Sequence, residues 1–138
     1  MQGLQYLEGY YWDRDDPSRA FARRFGAEER GVMPGQIHAG CYSAALHYLR
    51  AVERIGSSDG LSAMRAMKAA PLDDCYAPGA RIRKDGRLMN DMMLVRVKTP
   101  AESRGEWDLV AIERVVKAAD IVRPMADGGC PFLDPRPG

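Results

Sequence analysis

The chain has 138 residues, one domain's worth, and its 46% hydrophobic and 28% charged residues are ordinary for a globular protein. A net charge of +1 supplies no field for nucleic acid or an anionic membrane, so no nucleic-acid partner is expected. No stretch approaches the ~20 apolar residues of a membrane span, the N-terminal MQGLQYLEGYYWD lacks the basic-then-apolar order of a signal peptide, and three cysteines leave at least one without an internal partner.

Gly3–Trp12 is predicted to be a strand running into the aromatic cluster Tyr10–Tyr11–Trp12, residues that suit a pleated surface. DRDDPSRAFARRFGAEER then opens a helix, with Asp16 as N-cap and Pro17 at the first helical position. Phe21 and Phe25, four apart, share its core side. GVMPG breaks that helix and introduces the longest one, Gly35–Gly56, with Gly56 as its C-terminal stop. Cys41, Tyr42, Ala45, Leu46, Leu49 and Val52 fall at helical spacing and are expected to form its buried face. Small residues, Ala39, Gly40, Ser43 and Ala44, crowd the front of this helix and permit close approach of another backbone or a ligand.

SSDG caps a third helix, Leu61–Ala70, with Leu61, Met64 and Met67 on its buried side and Pro71 ending it. The period then changes. A Lys84-Asp85-Gly86 turn between extended runs signals a hairpin, and in its longer arm Met93, Val95 and Val97 share one side. Trp107–Val116 is ambiguous by periodicity, since DLVAIERVVKAAD also makes a helix. RPMADGGCPFLDPRPG is a Pro/Gly-rich tail with little regular structure. The element pattern is α/β or α+β, with too few strands for a complete doubly wound sheet.

Four blocks, EGYYWDRDDPSRAFARRF, MPGQIHAGCYSAALHYLRAVE, ARIRKDGRLMNDMMLVRVKTPAESRGEWD and RPMADGGCPF, carry a resemblance in order from Gly3 to Phe132. Together they resemble the C-terminal part of the substrate-binding proteins of branched-chain amino acid type ABC transporters, the Leu/Ile/Val-binding-protein-like group within the type I periplasmic binding proteins. The resemblance implies two α/β lobes joined by three crossovers, closing on a solute, in a protein more than twice this length. Residues 1–90 would be the second half of lobe one. Residues 91–138 would hold the hinge crossover with the last strand and tail of lobe two. It also implies a strand at Trp107–Val116, a periplasmic location, an ABC permease as partner and no cofactor. The fold class is thus α/β, a C-terminal fragment with an incomplete doubly wound sheet. The first strand, interior and flanked by parallel neighbours in the parent fold, should here have few neighbours and open apolar side chains. The periplasmic setting further implies a disulfide for Cys130, with its partner in the missing N-terminal portion. The chain departs from the group's pattern at His38, at Cys75-Tyr76 and in its DPRPG ending.

In open α/β sheets ligands bind beyond the carboxyl ends of strands. With the resemblance, that places the solute contacts at Tyr10, Tyr11 and Trp12, and at His38, Ala39, Gly40 and Tyr42 in the loop and first turn of the long helix. These supply flat apolar surface and a few donors for a small amino acid or an aromatic or aliphatic carboxylate. Tyr10 and Tyr11 serve equally as packing residues, and His38 is either a structural residue or a donor. His38 and Cys41 lack an acid to orient the histidine, which argues against a nucleophile and an enzyme. His38, Cys41 and His47 cannot share a metal, because nine residues of helix span ~13 Å. The reading is a solute-binding component of an ABC importer. Its rival is a small stand-alone assembly module that forms a homo-oligomer through an exposed sheet edge.

Overall fold

The computed structural model describes residues 2–130 and 133; the rest of the tail, residues 131–132 and 134–138, lies outside the described residues. The elements follow in the order β1 (Gln5–Glu8), α1 (Asp16–Glu28), α2 (Gln36–Ile55), α3 (Gly60–Ala69), β2 (Arg81–Ile82), β3 (Leu88–Met89), β4 (Met92–Val97), β5 (Val110–Val116) and α4 (Ala118–Ile121), with a 3-10 turn at Met125–Gly128. β1, β4 and β5 form one antiparallel sheet in that order, and β2 with β3 forms a separate two-stranded hairpin. The hairpin turns at Gly86, whose φ of 88° is the left-handed conformation that glycine adopts without penalty. β1 thus lies at an edge with a single, antiparallel neighbour, and Leu4, Tyr6 and Leu7 along it are exposed.

β4 is the sheet's centre. Met93 and Val95, two apart on one face, are buried and pack with Val110 of β5 and Tyr11. β5 confirms the strand expected at Trp107–Val116, starting three residues later. β1 is shorter than the predicted Gly3–Trp12, because the chain leaves the sheet at Gly9 and drives Tyr10 into the helical core.

That second core gathers Tyr10, Phe21, Ala39 and Cys75, with Phe25, Tyr42 and Tyr76 against them. Asp15, not Asp16, caps α1: its Oδ1 accepts from the Ser18 N–H at 2.8 Å, and Arg14 holds its other oxygen at 2.8 Å. Gly56 ends α2 in the left-handed conformation, as expected. The buried side of α2 differs from the predicted face. It is the small-residue edge Ala39, Ser43, His47 and Ala51, while Cys41, Ala45 and Leu49 are exposed. Ser43 donates to Asp74 at 2.6 Å and His47 Nε2 meets the Met67 carbonyl at 2.9 Å, so this edge is tied by polar contacts to the segments it packs on. On α3 only Ala63 is fully buried, and Leu61, expected inside, is 72% exposed. The cysteines Cys41, Cys75 and Cys130 are all free. Among the described residues no helix is long and apolar enough to cross a membrane, and no cluster of metal-binding side chains occurs.

Candidate functional site

The carboxyl end of β1 opens on a cavity of about 210 Å³. Its wall is Tyr6, Glu8, Tyr10, Tyr11 and Trp12 from β1 and the turn after it, Met33–Gly35 from the loop between α1 and α2, and Trp107, Leu109 and Val110 at the start of β5. Gly9 permits a close approach at this turn. A Cβ there would stand 3.0 Å from Tyr76 Oη and 3.3 Å from Gln36 Oε1, which itself accepts from the Gly9 N–H at 3.1 Å. The chain bends against that contact. Tyr10 goes inward, edge-on to Phe21 at 6.0 Å between ring centres, with its hydroxyl donating to the Ser18 carbonyl at 3.0 Å.

Tyr11 and Trp12 turn toward β5 instead. The Trp12 indole N–H donates to the Trp107 carbonyl at 2.8 Å, and the Tyr11 hydroxyl reaches Asp108 Oδ1 at 3.4 Å. Asp108 is buried and fully engaged: Lys98 Nζ stands at 2.6 Å and Arg104 Nε at 2.9 Å, while Arg104 also reaches Asp13 at 3.2 Å. The hydrogen bonds from Arg104 and Lys98 hold the Asp108 carboxyl well below the usual range. Burial, with the Asp108 charge beside it, pushes the Tyr11 phenol up to about 12. Two stretches nearly 100 residues apart in sequence are thereby fastened into one aromatic wall.

Glu8 is the exception to this satisfied network. Its Oε1 is buried and has no hydrogen-bond partner among the described residues. Burial raises its carboxyl above the ordinary range, opposed in part by the Tyr10 backbone N–H. A broader groove of about 770 Å³ adjoins the cavity across Tyr6, Leu109 and Val110, but its Lys98 and Arg104 are already committed to Asp108. The smaller cavity is the better-formed site, apolar with one convergent charged group.

The seven residues singled out from sequence divide in two. Tyr11 and Trp12 line the cavity, with Tyr10 contributing from the core behind it. His38, Ala39, Gly40 and Tyr42 cluster around the Tyr10–Phe21 core and do not line it. His38 Nδ1 accepts from the Gly35 N–H at 3.1 Å and its ring lies 5.0 Å from that of Phe25, so it caps α2. Ala39 is fully buried, Gly40 faces the Tyr76 ring, and Tyr42 stacks at a tilt 4.8 Å from Phe21. Glu8, Trp107 and Asp108 were not anticipated. Glu8 carries a sequence signal: it alternates with Tyr6 and Tyr10 along the strand, an acid on the aromatic side. Trp107 and Asp108 carry none, since only long-range pairing brings them here.

The model of the family described as periplasmic binding protein matches residues 1–105. This chain belongs to the periplasmic binding protein family. A periplasmic binding protein from Burkholderia mallei is 35% identical, with a TM-score of 0.88 over 94% of this chain and 34% of its own. A branched chain amino acid ABC transporter periplasmic ligand-binding protein from Burkholderia xenovorans is 40% identical, with a TM-score of 0.86 over 92% of this chain and 34% of its own. A leucine binding protein from Thermotoga maritima, 22% identical with a TM-score of 0.67 over 87% of this chain and 32% of its own, shares the fold. The chain spans about a third of the length of these solved periplasmic binding proteins. No curated protein matches the chain.

Proposed function

We propose that this periplasmic binding protein chain is part of the solute-binding component of an ABC importer, taking a branched-chain amino acid or another small carboxylate-bearing solute in the periplasm and presenting it to a membrane permease. The observation that carries this reading is the aromatic cavity at the carboxyl end of β1, in a chain of this family. Capture of this kind is a binding event in which enclosure by two lobes supplies most of the affinity, and the closed form is what a permease distinguishes. Tyr11 and Trp12 would be the solute-facing surface, with Trp107 opposite. His38, Ala39, Gly40 and Tyr42 would act at one remove, through the packing that holds Tyr10 and the α1–α2 loop. Residues 1–90 would belong to lobe one and residues 91–138 to the hinge and lobe two, so the β1–β4 pairing would run through the hinge.

The 138-residue chain supplies one wall of such a cleft. Calorimetry with leucine and with valine is expected to give saturable binding no tighter than about millimolar, the affinity of a half-enclosed ligand. Micromolar binding would show that the site is complete within this chain. The absence of saturable binding of either solute at tens of millimolar or so would overturn the assignment of the cavity as a solute contact.

A further inference from the structure

We propose that the cavity receives the ammonium end of its solute, with the Glu8 carboxylate as the counter-ion. This rests on the reading of the cavity as a solute contact and deepens it: the guest is a compound bearing a protonated amine, not an acid without one. Glu8 Oε1 is taken from water with nothing donating to it among the described residues. A carboxylate oxygen in that position is costly unless a donor arrives, and a charged N–H donor repays the most. The cavity wall contains no lysine, arginine or histidine. Lys98 and Arg104 of the adjoining groove are spent on Asp108. A guest's carboxylate would meet no cation here and would face a like charge.

The rings point the same way. Tyr11, Trp12 and Trp107 line the same cavity as Glu8, and a cation within ~6 Å of an aromatic ring face is attracted by the ring quadrupole. The volume of about 210 Å³ is smaller than a drug-sized pocket, which limits the guest to an ammonium group and a short hydrocarbon.

Trp12 and Trp107 are the chain's two tryptophans and both line the cavity, so intrinsic fluorescence reports its occupancy. The 138-residue chain is titrated at neutral pH with isoamylamine and with 4-methylpentanoate, which share a hydrocarbon and differ in the charge of the head. Isoamylamine should bind about tenfold or more tightly than the acid, and Glu8→Gln should remove that preference. Equal or tighter binding of the acid overturns the ammonium assignment while leaving the cavity a solute contact. No response to either compound overturns both. Should Glu8→Gln fail to fold, pH replaces it. The titratable groups on which the Glu8 charge acts are the phenols of Tyr6 and Tyr76, and Tyr10 and Tyr11 line the same cavity; all four are raised by burial and neutral in acid. Amine affinity should therefore fall as pH drops through the raised Glu8 value, and an affinity unchanged between neutral pH and about pH 4 overturns the proposal.

Discussion

Asp108 shows how one carboxylate can organise a wall. It gathers Lys98, Arg104 and the Tyr11 hydroxyl, and the neighbouring Trp107 carbonyl receives Trp12. Asp108→Asn keeps the shape but leaves Lys98 and Arg104 facing a neutral amide, so it should cost about 2 kcal/mol of stability. Loss of the near-ultraviolet circular dichroism of Trp12 and Trp107 at lower denaturant would read that out. The sign with pH follows from the depressed carboxyl. Its stabilisation is fully present above the unfolded value of ~3.9 and is lost as pH falls through the lower folded one. Acid loosening of the aromatic wall should thus begin below about pH 4 in the parent and be flatter in Asp108→Asn. The two tight glycines separate by the same reasoning. Gly9→Ala forces a methyl to 3.0 Å from Tyr76 Oη and should destabilise, by about 1 kcal/mol since Tyr76 can shift. Gly40→Ala meets the Tyr76 ring at an ordinary 3.7 Å inside a helix, and should stabilise by ~0.5–1 kcal/mol through helix propensity. Thermal midpoints that move in the same direction for both would contradict this.

Among the elements, local chemistry made most of the fold legible. Gly56 stops α2, Lys84-Asp85-Gly86 turns the β2–β3 hairpin, and Met93 and Val95 share the buried face of β4. The strand β5 needed the family resemblance, because its period alone allowed a helix. What failed was the choice of face on α2 and α3. Periodicity says which side chains lie together on a helix, not whether anything covers them. Here the covered edge of α2 is the one whose small residues let Tyr76 and the Tyr10–Phe21 core come close. The aromatic half of the candidate site was legible because it continues a strand past its end. Glu8 was hidden in plain alternation, and Trp107 and Asp108 reach the site only through the β4–β5 register.

In the molecule as a whole, the uncovered side is apolar. Ile37, 75% exposed, shares one side of α2 with the exposed Cys41, Tyr48 and Ile55, while Leu49 on α2 and Leu61 on α3 are 60% and 72% exposed. Such a patch binds hydrophobic probes in water. The native chain should therefore enhance the fluorescence of anilinonaphthalene sulfonate, and Ile37→Gln with Leu49→Gln should reduce that signal without lowering the thermal midpoint. An unchanged signal would mean that the patch is covered in solution. The sheet has a different asymmetry. β4 and β5 are joined by 12 residues, whereas β1 and β4 are joined by 83, and closing the longer loop costs about 2 kcal/mol more in chain entropy. The three long helices all lie inside that longer loop. The β4–β5 hairpin is accordingly the seed of the sheet, and β1 is the strand that docks last and detaches first. Glu8 and the aromatic turn travel with β1, so the cavity exists only while that late strand is seated, and a guest that grips Glu8 holds the strand in place.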